Sequence, residues 1–385
     1  MYIGIVAEWN PFHQGHARLL AEARAQHPGV PVACAMSGAF VQRGEPALFD
    51  KWSRAVWAVQ SGVSLAVELP AACVLQSADR FAEAGVLLLS DLGCTHLAFG
   101  TETLQAEQLN AVAEWTLSPR FREAFHEALG KGQPYSAAVN QAVMLAFPSL
   151  EADLTKPNNL LGIQYARTIL AHSLPMEILP FRRDQSRPVS ATAIRKEIAA
   201  GLLPSHIPEE ERPSMDALLA RGACTDYRRY DDACLLAFRL MDHRRLEESG
   251  LFSEGLENRW DREMQRGSYE AMLSAIKSRR YLYSRLRRIG AALLLSPAGG
   301  PSPMAQKQRA GYARLLALRS GESRLLRRAH VPVVTSFARA ERTLPEALRQ
   351  SLRLDSRACD VQAWCFRGEA ERGGRQDYYR SPRVL

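Results

Sequence analysis

The chain has 385 residues, 46% hydrophobic and 23% charged, which is an ordinary globular composition and a length typical of two or three domains. The N-terminus lacks the basic and apolar segments of a signal peptide, and no apolar run is long enough to cross a bilayer. We therefore expect a cytoplasmic protein without a membrane partner. The formal net charge of +8 fits a polyanionic partner such as nucleic acid, although many proteins with so modest an excess bind none.

The first hundred residues alternate strand-like and helix-like patterns, the segment 103–157 is mostly helical, and a further helix and strand follow it. Short apolar runs bounded by turn residues predict strands, and apolar residues at helical spacing predict helices. The predicted strands cover residues 2–7, 30–36, 63–69, 95–100 and 176–181, and the predicted helices cover 14–26, 51–61, 77–89 and 158–171. Strands separated by helices indicate right-handed βαβ units, and therefore an α/β fold with a doubly wound, Rossmann-like parallel sheet.

A proline-rich stretch at 204–213 indicates a domain boundary. Beyond it the patterns are helical as far as residue 366, and the final segment is rich in Arg, Gly and Tyr. We therefore predict an α/β domain at 1–205, a mostly α-helical domain at 206–366 and a flexible tail at 367–385.

The cysteines are scattered, odd in number and without a Cys-x-x-Cys pair. This pattern favours reduced, structural thiols and no dedicated metal site. The cysteines are Cys34, Cys73, Cys94, Cys224, Cys234, Cys359 and Cys365.

The motif His13-Gln14-Gly15-His16 comes soon after the first predicted strand. Ligands of open α/β sheets collect at the carboxyl ends of the strands, and the free N–H groups at a helix start favour phosphate. We therefore predict that His13 and His16 donate hydrogen bonds to phosphate oxygens, with Gly15 allowing close approach. The alternative is that one histidine caps the helix and the other is a surface residue.

A second motif, Ser190-Ala-Thr192-Ala-Ile-Arg195, opens a predicted helix after the fifth strand. Ser190 or Thr192 is suited to cap that helix, and Arg195 adds a fixed positive charge for phosphate. Alone, this motif is only a good helix start. In that order, the two motifs resemble those of the HIGH nucleotidyltransferase superfamily. The resemblance implies that they clamp the triphosphate of ATP and that attack at the α-phosphate releases pyrophosphate.

Further motifs resemble one branch of that superfamily, the tRNA(Met) cytidine acetate ligases, and the similarity extends from residue 2 to about 364. The motifs lie at 36–47, 50–54, 68–70, 99–102, 156–162, 253–259 and 277–281. The resemblance implies that ATP, accompanied by Mg²⁺, and acetate form acetyl-adenylate. The acetyl group then passes to N4 of the wobble cytidine of elongator tRNA(Met). Cytosine N4 is a poor nucleophile, so activation of acetate and positioning of both partners are the protein's main tasks. Oligomeric state is not predicted.

The resemblance also implies an ATP site, with His13, His16, Ser190 and Arg195 as catalytic residues. Asn159 is favoured over Asn158, and Arg182 is assigned although the local sequence departs from the family pattern and Arg183 is adjacent. The remaining predicted ATP contacts are Val6, Ala7, Glu8, Trp9, Asn10, Pro11, Phe12, Gln14, Gly15, Ala17, Arg18, Leu19, Gly100 and Thr192.

Two groups of basic and polar residues are candidates for RNA contact. Gln42, Arg43 and Lys51 follow the second strand, where they would hold pyrophosphate or RNA, or be solvated charges. A second, acid-free run near residue 280 predicts a helical face for tRNA, with tyrosines for base stacking. It contains Lys277, Arg279, Arg280, Arg285, Arg287 and Arg288, and we assign all of these except Arg287 to RNA binding.

Two rival functions keep part of this pattern. A plain adenylyl- or cytidylyltransferase would use the phosphate clamp without a large basic helical domain. A non-catalytic RNA-binding protein would not need His13, Gly15, His16, Ser190 and Arg195.

Overall fold

The computed structural model describes residues 1–385 except 133–134, 184–189, 203, 279 and 297–299, and it does not describe the side chains of 135 and 136. The strands are β1 (Ile3–Ala7), β2 (Val32–Ser37), β3 (Phe40–Val41), β4 (Glu45–Pro46), β5 (Leu65–Leu69), β6 (His96–Thr101), β7 (Glu177–Arg182), β8 (Ala313–Leu318), β9 (Val333–Val334) and β10 (Arg383–Val384). The α-helices of the first half are α1 (Gln14–Gln26), α2 (Lys51–Gln60), α3 (Ala71–Val74), α4 (Ala78–Asp91), α5 (Ala106–Leu117), α6 (Pro119–Gly130), α7 (Tyr135–Met144), α8 (Pro157–Ala171) and α9 (Ala191–Ala199). Those of the second half are α10 (Arg212–Ala220), α11 (Tyr227–Arg239), α12 (His243–Glu248), α13 (Leu256–Glu263), α14 (Tyr269–Ile276), α15 (Tyr283–Leu295), α16 (Phe337–Thr343), α17 (Glu346–Trp364) and α18 (Gln376–Tyr379).

Five parallel strands form the centre of the main sheet, in the order β5-β2-β1-β6-β7. The chain starts at the middle strand and winds outward in both directions, as the doubly wound prediction requires. Every residue of β2 and β5 is buried, because helices cover both faces of the sheet. The order reverses at the β1–β6 pair, where folds of this class open a crevice for ligands.

The predicted helices and strands of the first half are confirmed to within two residues at their ends. Helix α1 has the predicted bounds, and α2 begins after Asp50, whose side chain accepts a hydrogen bond from the Ser53 N–H at 2.9 Å. The seven cysteines are free and buried, as expected of structural thiols.

The predicted division into domains is wrong in two respects. Strand β8 of the second half pairs antiparallel with β5, and β9 and β10 pair with β8, so the sheet takes strands from both halves. Helix α17 packs on α3, with the Asp355 carboxylate accepting a hydrogen bond from the Ala71 N–H at 2.7 Å. Strand β8 was not predicted because all six of its residues are buried. Such a run lacks the alternation of apolar and polar residues that distinguishes a strand from a buried helix.

The tail predicted to be flexible is folded in this structure. Asp377 is 1% exposed and lies against the Lys51 Nζ at 2.8 Å and the Arg314 guanidinium. Lys51 also contacts Glu68 at 2.8 Å. These side chains form a buried ion cluster, defined as Lys51, Glu68, Arg314 and Asp377. The prediction that Lys51 contacts pyrophosphate or RNA is therefore wrong, because its ammonium is fully buried and its charge is already paired.

No helix in the described part of the chain is both long and apolar enough to span a bilayer.

We predict that Asp377→Ala lowers the free energy of unfolding by about 3–5 kcal/mol, because it leaves two buried cations, Lys51 and Arg314, with only Glu68 as an anionic partner in the cluster. Urea denaturation measures this loss. Glu369→Ala, which removes an exposed carboxylate of the same C-terminal segment, serves as the control and should change stability by no more than about 0.5 kcal/mol. Equal stability of the two variants would show that the ion cluster does not hold the segment in place.

Candidate active site

A cavity of about 1140 Å³ opens at the carboxyl edge of the central strands. The loop after β1, Gly100 of β6, Arg182 of β7 and the first turn of α9 all line it. This is the edge and the crossover point at which the topology predicts ligand binding. The cavity therefore contains both sequence motifs, although they are about 180 residues apart in the chain.

His13 and His16 cap the start of α1 with their Nδ1 atoms. The Nδ1 of His13 accepts a hydrogen bond from the Gly15 N–H at 3.1 Å, and the Nδ1 of His16 accepts one from the His13 N–H at 3.3 Å. The two rings are stacked, with centroids 3.7 Å apart and an interplanar angle of 18°. Both histidines also line the cavity. Each can therefore cap the helix and contact a ligand at the same time.

Burial keeps both imidazoles neutral. Burial, which is the largest cause, and the nearby positive charge of Arg183 together lower the pKa of His13 to about 4. Burial, the neighbouring His13 ring and Arg183 hold the pKa of His16 well below its usual value. A neutral ring whose Nδ1 accepts a hydrogen bond carries its proton on Nε2. Each histidine therefore retains one Nε2–H donor for a ligand.

The backbone at the start of α1 contributes less than predicted. The Gln14 N–H donates to the His206 carbonyl at 2.9 Å, and the N–H groups of His16 and Ala17 donate to the His13 carbonyl. With Gly15 bonded to His13, the first four N–H groups of the helix are all satisfied within the protein. The predicted phosphate contact through free N–H groups of α1 is thus wrong, and the imidazoles are the remaining donors there.

The first turn of α9 faces the same cavity. Ser190 caps the helix by accepting a long hydrogen bond, 3.5 Å, from the Ala193 N–H. The Arg195 guanidinium donates to the Asn10 carbonyl at 2.6 Å and to the Thr192 hydroxyl at 3.2 Å. These bonds fix a positive charge next to the His13 loop, at the positive end of a helix dipole.

Gly100 and two arginines form the wall on the β6–β7 side. A Cβ atom at Gly100 would approach the Arg183 Cγ to 3.1 Å, so a larger residue would crowd the cavity. Arg182 and Arg183 are both exposed and both line the cavity. Of these two arginines, only Arg183 lies close enough to His13 and His16 to lower their pKa values. Sequence reasoning assigned Arg182, and the structure adds Arg183 as a second candidate.

The structure separates the roles of the two asparagines at the start of α8. Asn159 is fully buried, and its side-chain oxygen accepts hydrogen bonds from the N–H groups of Glu102 and Thr103. Its side-chain nitrogen donates to the Thr103 hydroxyl and to the Asp153 carbonyl. The preference for Asn159 as a nucleotide contact is therefore wrong, since that amide is occupied. Asn158 lines the cavity.

The predicted residues divide according to whether they line the cavity. Those that do are Val6, Ala7, Glu8, Trp9, Asn10, His13, Gly15, His16, Arg18, Leu19, Gln42, Arg43, Gly100, Asn158, Arg182, Ser190, Thr192 and Arg195. Pro11, Phe12, Gln14 and Ala17 do not line it, and Phe12 is buried behind it with its ring 5.3 Å from that of Trp9. Direct ATP contacts by these four side chains are not supported.

A hairpin of β3 and β4 connects the cavity to the helical part of the chain. Glu45 lies 4.0 Å from Arg195 and 3.9 Å from Arg287 of α15. The Tyr230 hydroxyl of α11 donates to the Gly44 carbonyl at 3.0 Å, and a Cβ atom at Gly44 would clash with the α15 backbone. Because Gly44 also has φ of +83°, this contact requires glycine. Sequence reasoning gave Glu45 no role.

The predicted single basic face near residue 280 is not present. Helix α14 ends at Ile276 and α15 begins at Tyr283, so the residues between them leave the helical path. Leu282, which lies between the two helices, is 55% exposed. The segment is also not free of acids in space: Arg280 pairs with Glu254, and Arg287 pairs with Asp231 and Glu270. Arg279 lies outside the described residues.

Three arginines nevertheless meet around a second cavity, of about 200 Å³, between α4 and α15. Arg80, Arg285 and Arg288 line it. Burial and the adjacent Arg285 lower the pKa of Arg288 to about 10. Like charges held close together in this way favour binding of an anion.

Comparison with known proteins agrees with the motifs and the geometry. Residues 1–377 match the HIGH Nucleotidyl Transferase family. The tRNA(Met) cytidine acetate ligase of Latilactobacillus sakei is 31% identical over 379 residues, which covers 94% of each protein. That of Listeria monocytogenes serovar 1/2a is 33% identical and covers 91% of this chain and 92% of its own. The crystal structure of Thermotoga maritima TmcAL bound with alpha-thio ATP is similar over 100% of both chains, with 29% identity and a TM-score of 0.91.

The match spans nearly the whole chain, and the two motifs that define the superfamily face one cavity. The chain therefore belongs to the HIGH nucleotidyltransferase family and, within it, to the tRNA(Met) cytidine acetate ligases.

Proposed function

We propose that this protein activates acetate with ATP and transfers the acetyl group to N4 of the wobble cytidine of elongator tRNA(Met). The observation that carries the proposal is the pair of neutral, stacked imidazoles facing the same cavity as the first turn of α9. The names of the relatives support the same reaction.

In the first step, an acetate oxygen attacks the α-phosphorus of ATP, acetyl-adenylate forms and pyrophosphate leaves. Negative charge on the phosphate oxygens rises in the transition state, so fixed donors and cations stabilise it. The Nε2–H groups of His13 and His16 supply neutral donors. Arg183, Arg195 and the start of α9 supply positive charge close to them.

Mg²⁺ is expected to enter with ATP, held chiefly by the phosphates. Within the described residues, no group of three or more histidine, cysteine or carboxylate side chains is placed to hold a metal. The cavity therefore does not fit an ion held by the protein alone, and no step here depends on one.

In the second step, the tRNA must place its wobble base in the cavity while the rest of the molecule lies against a basic surface, defined as Lys277, Arg280 and Arg285. Lys277 and Arg280 are exposed, and Arg285 stacks on Tyr281 with its guanidinium carbon 5.4 Å from the ring centroid. The arginine-lined second cavity adds a place for a backbone phosphate. Arg43 is also exposed, and it lines the main cavity.

One assay distinguishes the proposed function from the rival adenylyl- or cytidylyltransferase function. Exchange of labelled pyrophosphate into ATP should depend on acetate if the proposal is right. Exchange without acetate, together with the joining of a nucleotide to a small phosphorylated metabolite, would support the rival. Tight tRNA binding without any ATP turnover would instead support a non-catalytic RNA-binding protein.

We predict that His16→Ala lowers the rate of acetate-dependent ATP–pyrophosphate exchange by about 100-fold or more, because one phosphate donor is removed. The dissociation constant for tRNA should stay within about twofold, since His16 lies in the ATP cavity and not on the basic surface. His330→Ala, at an exposed histidine, is the matched control and should leave exchange unchanged. A loss of exchange and tRNA binding to the same degree would contradict the role of His16.

The protonation state of His13 can be measured directly. Nitrogen-15 NMR of the ring should show the neutral Nε2–H form at pH 7 and a titration midpoint of about 4. Protonation puts a hydrogen on Nδ1 and breaks the α1 cap, so exchange activity should fall as the pH drops toward that midpoint. A midpoint near the ordinary histidine value of about 6.5 would contradict the neutral-donor mechanism.

Arg280→Ala combined with Arg285→Ala should weaken tRNA binding and flatten its dependence on salt. The slope of log affinity against log salt should shrink by about 0.7–0.9 for each phosphate that the protein no longer neutralises. Arg244→Ala combined with Arg324→Ala removes the same charge from exposed sites outside the segment and is the control. An equal change of slope in the two double variants would refute a specific contact.

A further inference from the structure

Among the described residues, the cavity is lined by four carboxylates: Glu8, Glu22, Glu45 and Asp79. Glu22 and Asp79 are exposed to solvent, and Glu45 lies between two arginines. Glu8 differs from all three. It is only partly exposed, and no described lysine or arginine forms an ion pair with its carboxylate.

Glu8 is also held firmly in place at the end of β1. Its Oε1 accepts a hydrogen bond from the Gln42 N–H at 2.5 Å, and its backbone carbonyl accepts one from the buried Arg54 at 2.7 Å. Next in the chain, Trp9 has φ of +44°, a left-handed conformation that strains a non-glycine residue and occurs often at functional sites. The hydrogen bond fixes one carboxylate oxygen, and no described side chain bonds to the other. Glu8 lines the cavity together with His13 and His16.

The proposed second step requires an acceptor of this kind. When the N4 amino group of cytosine attacks the acetyl carbon, N4 must lose a proton before or as the C–N bond becomes permanent. The histidines are poorly suited to accept it, because their Nδ1 atoms are occupied by the helix cap and their Nε2 atoms already carry hydrogen.

We propose that Glu8 is the general base of acetyl transfer and that it recognises the exocyclic amino group of the target cytosine. This inference rests on the proposed function. The N4 lone pair forms the new bond to the acetyl carbon, the bond between that carbon and the AMP oxygen breaks, and AMP leaves as the anion. The N4 proton passes to the Glu8 carboxylate and then to water. A carboxylate accepts a hydrogen bond from the cytosine amino group, whereas uracil presents a carbonyl there, so the same contact disfavours uridine.

The charged surroundings suit a base. Burial raises the pKa of Glu8, while the Gln42 N–H and the charges of Arg43 and Arg54 act in the opposite direction and Glu45 adds to the rise. Burial, with a smaller contribution from the Glu8 charge, also raises the pKa of Tyr165, which lines the same cavity, so Tyr165 stays protonated. A carboxylate with a raised pKa is a stronger base than an ordinary glutamate, and it loses that function as the pH falls through its pKa.

The test is Glu8→Gln in the full-length protein, because glutamine keeps an oxygen for the Gln42 N–H. Two rates are measured separately: acetate-dependent ATP–pyrophosphate exchange, and single-turnover transfer from synthetic acetyl-adenylate to tRNA(Met). We expect transfer to fall by about 100-fold or more, which is a far larger loss than that of exchange. Glu22→Gln, an exposed carboxylate of the same cavity, should leave both rates unchanged.

Unchanged transfer in Glu8→Gln, or an equal loss of exchange and transfer, would overturn the assignment. A second measurement uses the wild-type protein alone: the transfer rate should rise with pH and level off above a pKa higher than that of an ordinary glutamate. A transfer rate that does not change with pH around and above the pKa of an ordinary glutamate would also overturn the assignment of Glu8 as the base. If the wild type neither exchanges pyrophosphate with acetate nor acetylates tRNA, the proposed function itself fails, and the two failures are therefore distinguishable.

Discussion

The capping of α1 by two histidines is the constraint on which the site depends. Each Nδ1 accepts a backbone hydrogen bond, so each neutral ring must present Nε2–H, and burial prevents a second proton from binding. The same bonds fix both rings relative to β1, which sets the position of any phosphate they hold. A helix start that first suggests backbone anion binding therefore works through side chains, since its own N–H groups are already satisfied.

Other contacts position the remaining walls of the cavity relative to the two histidine rings. Arg54, fully buried, bonds to carbonyl oxygens of Glu8, Ser37, Gly38 and Phe49 and so joins the ends of β1 and β2 to the start of α2. The β3–β4 hairpin then links that assembly to α11 and α15. Through Glu45, the helical part contacts Arg195, so the surface proposed for tRNA and the clamp proposed for ATP are connected by ion pairs.

The sequence predicted the central sheet, the helices around it and both phosphate motifs, because these depend on local pattern and on the order of elements. It failed where the partner is distant in the chain. The sequence around Lys51 does not indicate that Asp377, more than 300 residues later, forms an ion pair with it. The sequence around β8 likewise does not indicate that this segment pairs antiparallel with β5. Asn158 and Asn159 are adjacent and chemically identical, so only the packing of α8 against the β6 loop distinguishes them.

The basic segment near residue 280 illustrates a different limit. Counting charges predicted one continuous face, but the chain leaves the helix after Ile276, and acids from other elements pair with Arg280 and Arg287. The special position of Glu8 also could not be predicted from the sequence. Within its motif it resembled one more nucleotide contact, and only the three-dimensional comparison of four carboxylates set it apart.

We propose that one protein both activates acetate with ATP and acetylates the tRNA. Mass spectrometry of elongator tRNA(Met), incubated with the protein, ATP and isotopically labelled acetate, measures the complete reaction. We expect labelled N4-acetylcytidine at the wobble position, together with formation of AMP and pyrophosphate. Unmodified tRNA in the presence of ATP turnover, or a label at another base, would contradict this proposal.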